Sequence, residues 1–132
     1  MNLNQITLPA LDVAASVAFY RRMGFTQIAG SAHYARFEYP AGEGTFSVHQ
    51  ADAAPSDSGI VAYFECDDRD ERVTALQRDG FVFSKRPTDE RWLWREARLV
   101  DPAGNVLCLY RAGSNRRFPR WRPDGNGAEI SR

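Results

Sequence analysis

The chain is poor in the residues that would give its purpose away. It holds 2 cysteines and 2 histidines in 132 residues. Cys66 and Cys108 stand far apart, each inside an apolar run and neither in a C-x-x-C pattern. They read as buried thiols rather than a bridge or a metal clip. Charge of one sign is not in excess, since 17 basic side chains meet 17 acidic ones. A domain built to neutralise phosphates carries a basic surplus, so nucleic acid is not an expected partner. No apolar run approaches the roughly 18 residues of a membrane span. The start MNLNQITLPALD shows neither a basic n-region nor a long apolar stretch. No membrane partner is expected, and a cytoplasmic location is.

What is present is the composition of one ordinary globular domain, 43% hydrophobic and 26% charged. It is long enough to bury a core without disulfides. The chain also says the same thing twice. An apolar run at Ile6–Leu8 leads to Asp12, VAASVAFYRRM and Gly24-Phe25. Another at Ala62–Phe64 leads to Asp68, RDERVTALQRD and Gly80-Phe81, at a constant offset of 56. Each Asp suits a helix N-cap, and each Gly suits the left-handed position past a helix end. Val13, Val17 and Tyr20 form one apolar stripe, and Val73 and Leu76 a weaker one.

Strand-like segments follow each helix: Phe25–Ala29, His33–Tyr39 and Thr45–Gln50, then Phe81–Lys85, Trp92–Leu99 and Val106–Arg111. The separators Gly30-Ser31, PAGEG, RPTDE and DPAGN have turn chemistry. The spacing predicts an α+β fold of two βαβββ modules, whose strands curl into a cup-shaped mixed sheet. One domain over 1–111 is expected, with module one at 1–50, a linker at 51–59 and module two at 60–111. An irregular arm follows at 112–132, and its Arg-rich stretch around Phe118 and Trp121 suits packing on a partner subunit.

Strand parity separates the faces. Aliphatic side chains fall on the sides expected to meet the helices. The other side gathers Gln5, Ser47, His49, Tyr63, Trp94, Glu96, Arg98, Cys108 and Tyr110. Polar groups converging among aromatics suit a small-molecule site. A solvated sheet face or a dimer interface is the plainer alternative. His49 is a candidate general base, and Glu96 would act with it or orient it. Arg98 would grip a carboxylate- or phosphonate-like oxyanion in its planar fork, unless it is a local ion pair with Glu96. Trp94 would stack on a planar ligand, with Tyr63 and Tyr110 as walls. His33, opening a strand beside a turn, reads as structural.

The repeat, together with QITLPALDVAASVAFYRRMGF, VAYFECDD and WREARLVDPAGNVLCLY, resembles the vicinal oxygen chelate superfamily. That superfamily holds glyoxalases, bleomycin-resistance proteins, fosfomycin-resistance enzymes and extradiol dioxygenases. The chain also looks like a bacterial branch whose members carry WLWREA and a following NRxxPxW tail. The resemblance implies a homodimer. In metal-dependent relatives a divalent ion is held at four places, which correspond here to Gln5, Ser47, Val61 and Cys108. Gln5 alone is a serviceable ligand, so the usual site is not expected and neither metal nor cofactor is assigned. A relocated site of Gln5, His49 and Glu96 stays open. Two functions follow. One is a binder of a small aromatic or anionic molecule. The other is an enzyme of lyase, isomerase or dioxygenase type using His49 and Glu96 as acid and base or as relocated ligands.

Overall fold

The computed structural model describes residues 1–56 and 58–123, so the expected arm beyond Pro123 lies outside the described residues. The elements run in the order β1 Gln5–Ala10, α1 Val13–Arg22, β2 Thr26–Gly30, β3 Tyr34–Glu38, β4 Thr45–Gln50 and β5 Val61–Glu65. They continue with α2 Arg69–Arg78, β6 Phe83–Asp89, β7 Arg95–Val100 and β8 Val106–Arg111. The βαβββ order thus appears twice in an α+β fold. The strands form two four-stranded mixed sheets, ordered β1-β4-β3-β2 and β5-β8-β7-β6. By packing the chain divides into two compact units. One is Met1–Val61 with Val100–Val106, and the other is Ala62–Leu99 with the residues from Leu107.

The repeated Asp and Gly have unequal fates. Asp12 caps α1, its carboxylate accepting from the Ala15 amide at 3.1 Å. Asp68 precedes α2 but makes no side-chain cap bond. It pairs instead with Arg72 one turn on, at 3.2 Å, a competing use of the same carboxylate. The glycines do alike. Gly24 and Gly80 have φ of 108° and 93°. The amides of Phe25 and Phe81 reach back to the carbonyls of Tyr20 and Leu76 at 3.1 and 3.0 Å. Both helices therefore end in the same left-handed motif, which satisfies orphan carbonyls. On α1 the buried stripe is Val13, Ser16 and Tyr20, with Val17 only half-buried.

In the first unit α1 lies on β2, β3 and β4. Tyr20 is fully buried, its ring 4.8 Å from Phe46 and 5.4 Å from Phe37. Its phenol donates to Asp101 Oδ2 at 2.6 Å. Asp101 Oδ1 accepts the amides of Ala103 and Asn105 at 3.0 and 2.9 Å. Asn105 Nδ2 then donates to the Pro9 carbonyl and to Asp101 Oδ2, both at 2.8 Å. The DPAGN phrase is therefore a turn whose buried carboxylate is satisfied by four donors, as a buried charge must be. It completes the core of the unit that holds the first helix.

In the second unit α2 packs on β6 through Val73 and Leu76, both buried. Two expected strands change their bounds. β6 starts at Phe83 and runs through the RPTD stretch read as a loop. It tolerates Pro87 because its register against β7 slips between Lys85 and Thr88, where a missing amide costs no ladder bond. β7 starts at Arg95, because Arg91–Leu93 form the turn. The Glu90 amide donates to the Trp94 carbonyl at 2.7 Å across it, and Leu93 takes φ 68°. Trp92 is thus a turn residue, not a strand residue.

Candidate functional site

Module two presents a face that is half aromatic and half charged. Trp94 and Tyr110 stack with centroids 4.8 Å apart, and Tyr63 stands edge-on to both at 6.0 and 5.5 Å. These rings form a wall of the kind that offset or T-shaped packing favours. The Trp94 indole N–H donates to the Asn115 carbonyl at 3.4 Å, which ties the ring to the start of the arm. Glu65 secures the arm further, its Oε2 accepting the amides of Ala112 and Gly113 at 2.8 and 3.0 Å. Burial, and then the Glu65 carboxylate, push the Tyr110 phenol up.

Beside the wall lies Glu96, 1% exposed. Its Oε1 faces Arg98 Nη2 at 3.4 Å and Lys85 Nζ at 3.7 Å. Its Oε2 accepts the Cys108 thiol at 3.4 Å. Burial and the neighbouring Glu96 charge push that thiol up to about 12, so it stays protonated. Arg98 also reaches the Tyr63 phenol at 3.5 Å. Burial works most strongly against the Arg98 charge, yet Glu96, Cys108 and Tyr63 together outweigh it and the guanidinium holds its proton more firmly than in water. Lys85 additionally pairs with Glu90. Lys85 and Arg98 thus face two carboxylates, of which Glu96 is the buried one that both share.

Lys85 was not among the candidates read from the sequence. Its signal was cross-strand register, Lys85 lying opposite Arg98, which the slips in β6 hide from simple alternation. An open cleft of about 520 Å³ adjoins this region, lined by Trp94, Leu93, Arg95, Arg69, Arg111 and the arm from Ala112 to Asn115.

Gln5, Ser47 and His49 lie in the other unit. Ser47 is buried, and its hydroxyl takes Gln5 Nε2 at 2.9 Å and meets Thr7 Oγ1 at 2.8 Å. Gln5 Oε1 is occupied by the Thr45 hydroxyl. His49 is exposed, its Nδ1 3.1 Å from the Gln50 carbonyl. A proton donated there leaves Nε2 as the free acceptor. His33 is tied to the Gln50 side chain. His49 and Glu96 thus have separate local partners.

The four positions that correspond to the metal ligands of relatives do not suit a divalent ion. The oxygen of Gln5 is spoken for, the Ser47 hydroxyl is buried in its own network, Val61 has no donor, and Cys108 keeps its proton on a thiol bonded to Glu96. Ligands must be unprotonated and free to converge. Among the described residues, no three His, Cys, Asp or Glu side chains cluster as metal ligands would.

The fold has many counterparts among solved structures. A bleomycin-binding protein complexed with bleomycin superposes with a TM-score of 0.71 at 22% identity, over 86% of this chain and 100% of that one. A bleomycin resistance determinant encoded on transposon Tn5 gives 0.70 at 23%, over 84% and 98%. Lactoylglutathione lyase from Agrobacterium tumefaciens gives 0.68 at 18%, over 83% and 92%. Among curated proteins none matches the sequence. The model of one family matches residues 2–109, which is most of the length. The chain therefore belongs to the glyoxalase/bleomycin resistance protein/dioxygenase superfamily.

Proposed function

We propose that the protein binds a small, planar, anionic organic molecule on the module-two face, without the metal site usual in its superfamily. One observation carries this reading: Arg98, seated on buried Glu96, stands beside the Tyr63–Trp94–Tyr110 wall. A guanidinium fixed in this way offers its remaining donors to a carboxylate, and the rings take the flat body. The likeness to a bleomycin-binding protein agrees with a binding role. A cytoplasmic homodimer goes with this reading.

Titration of the full chain with 1-naphthoate, followed by tryptophan fluorescence, tests it. Arg98→Ala is expected to weaken binding at least about tenfold, the cost of losing one charged hydrogen bond. Trp94→Phe is expected to remove most of the quenching. Affinity unchanged in both variants would overturn the reading.

A second reading, catalysis on the module-two face with Glu96 moving protons, is favoured by the burial of Glu96 between two cations and a thiol. Glu96→Gln separates the two. Lost turnover with retained affinity supports catalysis, and lost affinity with no turnover in either protein supports binding. Elemental analysis of protein purified without chelators is expected to show no stoichiometric divalent metal. Near one ion per chain would reverse that.

A further inference from the structure

The stretch that follows β8 carries chemistry that the module-two reading does not use. Residues 112–123 hold Arg116, Arg117, Arg120 and Arg122 and no acid. They are folded into consecutive turns. A 3-10 turn at Gly113–Asn115 opens the segment. The Phe118 amide then donates to the Ser114 carbonyl at 2.8 Å, and the Arg122 amide to the Pro119 carbonyl at 3.0 Å. Glu65 anchors the base of the segment through two backbone amides and lies 4.0 Å from Arg116. Past that anchor, no carboxylate among the described residues forms an ion pair with Arg117, Arg120 or Arg122. All three are exposed. Each lies instead beside a ring. Arg117 and Arg122 stand 5.4 and 4.7 Å from the centre of Phe118, and Arg120 stands 5.9 Å from the centre of Trp121. Arg122 Nη1 also donates to the Arg117 carbonyl at 3.2 Å, which folds the segment around the same ring. Phe118 itself is 58% exposed.

Guanidiniums without counter-charges, set against exposed rings, suit a phosphate-bearing strand with flat bases. The charges meet phosphates, and the ring and guanidinium planes are surfaces on which unpaired bases stack. Other anionic partners use less of the segment. An acidic peptide would engage the arginines and leave Phe118 idle. A lipid surface would require Phe118 to enter hydrocarbon with a guanidinium 4.7 Å from its ring, which the cost of desolvating a charge opposes. The neutral total that argued against a nucleic-acid partner averages this segment with an acidic remainder. We propose that residues 116–122 form a weak, sequence-tolerant site for single-stranded nucleic acid. Arg117, Arg120 and Arg122 meet the phosphates, and Phe118 and Trp121 meet the bases. The site shares no side chain with the one on the module-two face and stands or falls apart from it.

The test is fluorescence anisotropy of a labelled oligouridine strand titrated with the full chain. Saturable binding is expected, and three phosphate contacts should make it about fifteenfold weaker at 200 mM than at 50 mM salt. Arg117→Gln, Arg120→Gln and Arg122→Gln in one chain should weaken it at least about tenfold at the lower salt and flatten the salt dependence. Phe118→Leu should cost at least about fivefold and leave the salt dependence as it is, because stacking and charge contribute separately. The replaced side chains are exposed, so both variants should melt near the parent. Absence of saturation, or affinity untouched by the triple variant, would overturn the proposal. Equal binding of a hairpin duplex, with Phe118→Leu neutral, would reduce the site to a phosphate contact and overturn it too. Displacement of the strand by polyglutamate at equal charge would assign the arginines to an acidic protein surface instead. Binding to phosphatidylserine vesicles but not to oligouridine would assign the segment to a membrane.

Discussion

Cys108 stands where the resemblance would put a metal ligand, and in this structure it is a buried thiol. Its thiol hydrogen-bonds Glu96 within a fully buried setting, and it is held up to about 12. Cys66, half-buried, is pushed up to about 11, chiefly by burial. In the folded chain both protons are therefore held more tightly than in the unfolded one, where a thiol titrates near ~8.5. Stability from these groups is full below that unfolded value and is lost as pH rises through 11 to 12. Urea unfolding across pH 8 to 12 is expected to show a steep alkaline loss, smaller in a Cys108→Ala variant. At pH 8 neither thiol should react rapidly with a disulfide reagent until urea is added. The reading of both cysteines as buried thiols came from their apolar neighbours alone. What those neighbours could not reveal was the carboxylate twelve residues earlier that Cys108 meets, because cross-sheet partners carry no local signal.

At the scale of elements, the helix ends were the most legible part of the chain. Gly24 and Gly80 stand where a left-handed residue is needed, and the two ends are built alike. At Gly24 an added Cβ would also lie 3.3 Å from the Tyr39 ring. The turn between β6 and β7 was illegible for the opposite reason. Its left-handed position is held by Leu93, at φ 68° and 42% exposed. Leucine there brings a strain of about 1–2 kcal/mol, and nothing in its identity marks a turn. Trp92 and Trp94 consequently read as one continuous strand with Glu96. Leu93 lines the cleft beside Trp94, which is where retained strain tends to sit. Leu93→Asn, suited to left-handed backbone, is expected to raise stability by about 1 kcal/mol, or roughly 4–8 °C in Tm for a domain near this size. A thermal melt that falls instead would mean the leucine side chain contributes more to packing than its backbone costs.

Over the whole molecule, the neutral sum of charges was a weak guide. Residues 111–123 carry five arginines and no acid, which leaves twelve basic against seventeen acidic side chains elsewhere. Local fields on this chain are set by that segregation and by pairings such as Arg116 with Glu65 at 4.0 Å and Arg111 with Asp67 at 3.6 Å. Fold class was readable because repeated spacing is a global signal. The roles of the faces were only half readable, since parity assigns a side chain to a face but not to its partners. The DPAGN phrase illustrates this: as a signature it pointed to the family, while its residues turn out to lock Tyr20 and Pro9. Asp101→Ala leaves four donors without their acceptor. It is expected to lose at least about 3 kcal/mol in urea unfolding, with tyrosine and near-ultraviolet signals changing together.

That lock has a consequence for how the chain is made. Tyr20 leaves the ribosome 81 residues before the carboxylate that receives its proton. The strands and helix of module one emerge first, yet their core stays open until Asp101 and Asn105 have been synthesised. For most of translation, Tyr20, Phe37 and Phe46 belong to an unfinished body exposed to proteases and chaperones. A nascent chain stalled in the linker should remain protease-sensitive, and one stalled well past Arg111 should not.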